Sequence, residues 1–247
     1  MMNDTSTRVA VVTGGTRGIG RAIVERLAAD GFAVVFGYAG RTDLAEELVA
    51  QLRSEGSQSL AVQGDIADES AVAALFDAAE AEFGGVDVAV NVAGRMPVKP
   101  VVDFGLDELD DLYRINVRAT FAVSQQAARR LRPGGALINI SSSVVKLAFP
   151  GYGAYAATKG AVEALTLILA RELRGRDVTV NVVAPGPTVT DLFLEGKDEE
   201  TIARLAAQPP LERLGRPEDS AQVVAFLAGP QGHWVNGQVV RANGGII

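Results

Sequence analysis

Two hydrophobic rhythms alternate along the chain. Short apolar runs rich in β-branched residues, at 8–12, 32–38, 59–63, 86–90, 136–140 and 178–183, have the length and continuity of strands buried on both faces. Between them apolar residues recur at helical spacing: Ile19, Ile23, Leu27 and Ala28, then Leu44, Leu48, Val49 and Leu52, then Val72, Leu75, Phe76 and Ala79. The stretch from Leu106 to Leu131 predicts one long helix, Tyr155 to Leu173 another, and Pro217 to Leu227 a last one before an edge strand at 238–240. Strands alternating with helices predict right-handed βαβ units. The expected fold is therefore α/β, a doubly wound parallel sheet of about seven strands with helices on both faces. In such a sheet ligands collect where the strands end, so the loops at Gly14, Gly37, Gly64 and Gly94 should share one edge.

The breaks in the pattern add to this picture. No linker divides the 247 residues, and one domain, 1–247, is expected. From Thr188 to Arg216 the chain turns polar and irregular, with Pro209-Pro210, which predicts a mobile lid over a substrate within 188–216. A composition of 48% hydrophobic and 21% charged residues, with no apolar run near the roughly 20 residues of a membrane span, predicts no membrane association. Residues 1–8 carry no basic segment leading into an apolar region, so the expected compartment is the cytoplasm.

Charge and residue counts narrow the chemistry. A net charge of −7 argues against a nucleic-acid partner, which needs clustered basic surface. The absence of cysteine removes thiolate nucleophiles and Cys-bound metals, and the single histidine, His233 beside Trp234, reads as packing or surface. No metal is expected. The candidate acid/base is Tyr155: four residues before Lys159, it shares a helix face with an ammonium, which predicts a phenol drawn below its ordinary pKa. The first strand ends in Gly14-x-x-x-Gly18-x-Gly20 and runs into a helix, an order suited to holding a pyrophosphate. After the second strand comes Tyr38, then Arg41. An acid there would suit the ribose of NAD, whereas nearby arginines, Arg17 and Arg41, suit the 2′-phosphate of NADP. Asp65, at the end of the third strand, either caps a turn or contacts the adenine.

Taken together, Thr13-Gly14-x-x-x-Gly18-x-Gly20, Asn91-x-Ala93-Gly94, Asn116, Ser142, Tyr155-x-x-x-Lys159 and Pro185-Gly186 resemble the classical short-chain dehydrogenase/reductase family over nearly the whole chain. The resemblance implies that Tyr155 is the acid/base, Lys159 assists it and holds the nicotinamide ribose, Ser142 binds the substrate oxygen, and Asn116 supports a water-mediated proton relay. It implies a cofactor site on Gly14, Thr16, Arg17, Gly18, Ile19 and Gly20, on Tyr38, Arg41 and Asp65, on Asn91, Ala93 and Gly94, on Tyr155 and Lys159, and on Pro185, Gly186 and Thr188. Val92 departs from the family, which commonly has asparagine there. NADP(H) is expected over NAD(H), with hydride transfer to a ketone or 3-oxoacyl thioester, as in the related thioester and carbonyl reductases. The competing expectations are an NAD-dependent alcohol or sugar dehydrogenase and an inactive NADP-binding regulator. A homotetramer is implied, and Arg132 and Arg176 are candidate contacts for an acidic acyl carrier protein.

Overall fold

The computed structural model describes residues 7–247; most of the N-terminal stretch used to assign a compartment lies outside the described residues. β1 (Val9–Thr13) leads into α1 (Gly18–Ala29), and the order repeats through β2 (Ala33–Tyr38), α2 (Thr42–Ser54), β3 (Ser59–Gln63), α3 (Glu69–Phe83) and β4 (Val86–Asn91). Next come α4 (Leu106–Tyr113), α5 (Ala119–Arg130), β5 (Leu131–Ile140), a short α6 (Val144–Leu147), α7 (Gly153–Glu172) and β6 (Val178–Pro185). The chain closes with α8 (Asp191–Leu194), α9 (Glu199–Ala206), α10 (Pro217–Ala228) and β7 (Val239–Ala242). All seven strands pair in parallel in the order β3-β2-β1-β4-β5-β6-β7, the doubly wound sheet that the hydrophobic rhythm predicts.

The strands read as continuous apolar runs because both sheet faces are covered. Within β1, Ala10 and Val12 pack on the layer of α1, α2 and α10, while Val9 and Val11 pack on that of α3, α5 and α7. Register brings Gly37, Thr13, Asn91, Asn139 and Val182 side by side, so strand ends far apart in sequence form one edge. The winding reverses between β1 and β4, which opens a crevice at that edge. No helix among the described residues is long and apolar enough to cross a membrane.

Two of the predicted elements need correction. The single helix from Leu106 to Leu131 is instead α4, a π-helical turn at Arg114–Arg118, and α5, and Leu131 already belongs to β5. Apolar spacing cannot reveal the π turn, because tertiary hydrogen bonds to Asn116 hold it. The segment from 188 to 216 is not irregular throughout. It forms α8 and α9, capped by Thr190, whose hydroxyl accepts from Phe193 N at 3.2 Å, and by Asp198, which accepts from Thr201 N at 2.9 Å.

Candidate active site

A cleft of about 640 Å³ lies along the carboxyl edge of the sheet. One end is a turn that only glycine can make. Gly14 has φ +68°, and a Cβ on Gly20 would sit 2.0 Å from the Gly14 carbonyl oxygen. α1 begins here with no side-chain cap and no acid in its first turn, leaving its first N–H groups free for an anion. Thr16, Arg17, Gly18 and Ile19 line the same end, as do Tyr38 and Arg41 after β2.

The other end carries the candidate acid/base group. Tyr155 and Lys159, on α7, are 8% and 5% exposed, and both line the cleft with Ser142, which follows β5. Burial pushes the Tyr155 phenol up to about 12, against a smaller opposing pull from its hydrogen bond with Ser142. This reverses the predicted direction. The Lys159 ammonium donates to the Ile140 carbonyl at 2.8 Å and lies 5.8 Å from the Tyr155 ring centroid, and burial lowers it to about 8. Desolvation disfavours both charged forms and outweighs the helix-face pairing. The phenol consequently stays protonated near neutral pH, with the Ser142 hydroxyl beside it.

Asn116 supports this end from behind. Its amide donates to the Arg95 carbonyl at 2.9 Å and to Thr158 Oγ1 at 3.1 Å, and its Oδ1 accepts from Arg95 N at 2.9 Å. The Thr158 hydroxyl in turn donates to the Tyr155 carbonyl at 2.7 Å. Thr120 donates to the Asn116 carbonyl at 2.7 Å and accepts from Asn91 Nδ2 at 2.8 Å. A Cβ on Gly94 would come within 3.1 Å of Asn116 Oδ1 and 3.6 Å of Lys159 Nζ, so a small residue is needed there.

Several predicted site residues are placed elsewhere or are already engaged. Asn91 sits behind the cleft wall, its Oδ1 accepting from Thr13 Oγ1 at 2.9 Å, and it ties β1, β4 and α5 together rather than lining the cleft. Asp65 lines the cleft but caps the turn after β3, accepting from Ala67 N at 3.0 Å and pairing with Arg114 at 3.3 Å. Arg41 is paired with Asp43 at 2.7 Å. Ala93, Gly94, Pro185, Gly186 and Thr188 line the cleft. Of the two candidate carrier contacts, Arg132 binds Asp87 at 2.9 Å and Arg176 donates to the Ala128 carbonyl at 3.0 Å. His233 pairs at the surface with Asp177 at 2.9 Å, one of its two expected settings, and Trp234 beside it is fully exposed.

With this geometry in place, comparison with known proteins gives a consistent result. The sequence model of the family described as "Enoyl-(Acyl carrier protein) reductase" matches residues 14–247. A short-chain type dehydrogenase/reductase of Picea abies is 44% identical over 97% of this chain and 92% of its own length. The chain belongs to the short-chain dehydrogenase/reductase family. An NADPH-dependent aldehyde reductase-like chloroplastic protein of Arabidopsis thaliana is 39% identical over 97% of this chain and 94% of its own. A short-chain dehydrogenase of Burkholderia cenocepacia, solved in complex with NADP, superposes with a TM-score of 0.91 at 38% identity, covering 98% of each chain. The protein is an oxidoreductase of this family.

A dinucleotide fits this short-chain dehydrogenase/reductase on structural grounds, because the glycine cradle and the uncapped start of α1 together offer backbone donors to a pyrophosphate. Val92 keeps its backbone contact, donating to Thr13 Oγ1 at 3.0 Å, and packs against the core. The sequence reading did not single out Thr158, Arg95, Phe149 or Tyr152. The first two adjoin motif residues, Lys159 and Gly94, which is the only signal that marks them. Phe149 and Tyr152, with ring centroids 6.2 Å apart, form an aromatic wall beside Tyr155, and their place follows from the turn before α7.

Proposed function

We propose that the protein is an NADP(H)-dependent carbonyl reductase acting on aldehydes, ketones or 3-oxoacyl thioesters. The observation that carries this reading is a pair of hydroxyls, the buried Tyr155 and the half-buried Ser142, close enough for Ser142 to oppose the burial shift of the phenol, at the cleft end where Lys159 is also buried. Two hydroxyl donors at one end of the cleft suit a carbonyl oxygen that becomes an alkoxide. Bound NADPH would supply the hydride, so that carbonyl, NADPH and a proton give alcohol and NADP⁺. Ser142 orients the oxygen and Tyr155 delivers its proton. Lys159 holds positive charge beside the phenol, and Asn116 fixes the Arg95 backbone and Thr158 around them. The cofactor would rest on the Gly14–Gly20 turn, with its adenosine end toward Tyr38 and Arg41.

The preference for NADP(H) is supported by Tyr38, which occupies the strand end where an acid would favour NAD, and by Arg17 and Arg41 lining the same end of the cleft. The NADP complex of the Burkholderia relative and the printed name of the Arabidopsis relative point the same way. The test titrates NADPH and NADH into the unmodified protein and into Arg17→Ala, Arg41→Ala and Tyr38→Asp, and measures turnover on a carbonyl panel. Losing an arginine–phosphate contact should weaken NADPH roughly tenfold and leave NADH unmoved. Equal or tighter NADH binding by the unmodified protein would sink the preference.

A further inference from the structure

Arginines in this acidic chain are mostly engaged: Arg21, Arg114, Arg130 and Arg213 pair with carboxylates, and Arg118 donates to a backbone carbonyl. Four cationic side chains line the cleft. Arg41 is held by Asp43, Lys159 by the Ile140 carbonyl, and Arg17 belongs to the glycine turn at the phosphate end. Arg95 remains. Among the described residues its guanidinium has neither a carboxylate partner nor a hydrogen bond, although it is anchored at a fixed point. Asn116 grips both its N–H and its carbonyl at 2.9 Å, and the preceding Gly94 lies against Lys159 Nζ. Met96, Leu147, Phe149 and Tyr152 give the same cleft an apolar and aromatic lining, and Arg95 itself is exposed. An unneutralised guanidinium in a cleft so lined suits a substrate with an apolar body and an anionic group.

We infer that Arg95 is a specificity-determining residue that selects carbonyl substrates bearing a carboxylate on an aryl or similarly apolar body. The inference rests on the reductase reading and adds the substrate class. Across the cleft, α8 contributes Asp191 and is followed by Glu195, both also lining it but neither paired with Arg95. They define the rival role, in which Arg95 latches the lid instead of the substrate.

The experiment compares 3- and 4-carboxybenzaldehyde with their methyl esters, using NADPH and the unmodified protein, Arg95→Gln and Arg95→Lys. The acids should be favoured in kcat/KM by about tenfold or more at low salt, the size expected of a charge-assisted contact. About 0.5 M salt should shrink that preference. Arg95→Gln should abolish it while leaving the esters and NADPH affinity within about twofold, and Arg95→Lys should restore part of it. Calorimetric titration of 4-(hydroxymethyl)benzoate into the NADP⁺-loaded protein reads the same contact without turnover, and Arg95→Gln should weaken it. Acids that do no better than esters would overturn the inference. So would an Arg95→Gln loss shared equally by acid and ester, the signature of a lid latch or a cofactor contact. Failure to reduce even the esters would overturn the aryl substrate class, failure on the whole carbonyl panel would refute the reductase reading, and the titration would still decide the role of Arg95.

Discussion

Over β1 and β2 the cleft wall is backbone, whereas over β5 and α7 it is buried side chain. The glycine end works because atoms are missing: Gly14 turns where a side chain would strain, and Gly20 leaves 2.0 Å for a Cβ that cannot fit. At the other end, by contrast, Tyr155 and Lys159 are buried so deeply that desolvation dominates their protonation, with the half-buried Ser142 beside them. Backbone donors bind an anion irrespective of pH, while buried hydroxyls and amines couple function to their titration. The two ends should accordingly fail in different ways when altered.

The largest expected effect isolates the side-chain end. Tyr155→Phe removes the proton donor while preserving the ring, so turnover should fall about 10²- to 10⁴-fold with NADPH affinity unchanged. Stopped-flow turnover alongside a cofactor titration checks both. Retained turnover would mean that another group supplies the proton.

Next in size is the backbone end. Gly20→Ala forces its new methyl against the Gly14 carbonyl, and overpacking of this kind costs about 1–3 kcal/mol. Weaker NADPH binding and a thermal midpoint lowered by several degrees should appear together, because one displacement deforms both the cradle and the start of α1. A variant that bound NADPH normally would show that the turn is not the cofactor's seat.

The comparison also explains what the sequence could reveal. Gly14, Gly18 and Gly20 are legible because a strand, a glycine turn and a helix follow one another locally. The Tyr155 and Lys159 spacing is legible for the same reason. The direction of the Tyr155 shift is not legible, since helix-face proximity is local whereas the burial that raises the phenol and lowers the Lys159 ammonium comes from tertiary packing. The π turn at Asn116 is hidden because its cause, the Arg95 backbone, lies in another segment. Asn91 has the family's motif position, yet its hydrogen bonds to Thr13 and Thr120 emerge only when β1, β4 and α5 assemble. Arg95 is marked by what fails to pair with it, which no spacing encodes.

Titration offers a subtler probe of the side-chain end. Lys159 sits at about 8 in the folded protein against an ordinary 10.5, so between those values the unfolded chain binds more protons and this residue makes stability rise with pH. Tyr155, raised to about 12 from 10.0, acts oppositely between those two values. Melting temperatures at pH 8 and 10 should therefore show Lys159→Met losing an upward contribution present in the unmodified protein. Reduction should also decline as pH rises through about 8, when the ammonium beside the phenol is lost, and Lys159→Met should lack that inflection. Matching pH profiles for the two proteins would remove Lys159 from the acid/base system.

The smallest effect tests whether the glycine end uses side chains at all. Arg41 stands in the left-handed region at φ +58°, and its guanidinium grips Asp43 through Nε at 2.9 Å and Nη2 at 2.7 Å. A 2′-phosphate must compete with that carboxylate or share the guanidinium with it. Because both side chains are largely exposed, the pair is weak and the competition slight. Asp43→Asn keeps the shape and removes the charge, so NADPH should bind more tightly by up to about fivefold, most clearly at low salt, with NADH unaffected. Tighter binding of both cofactors would indicate a rearranged loop instead of a freed arginine. Weaker NADPH binding would mean that Asp43 positions Arg41 for the phosphate, and the ion pair would then belong to the cofactor site.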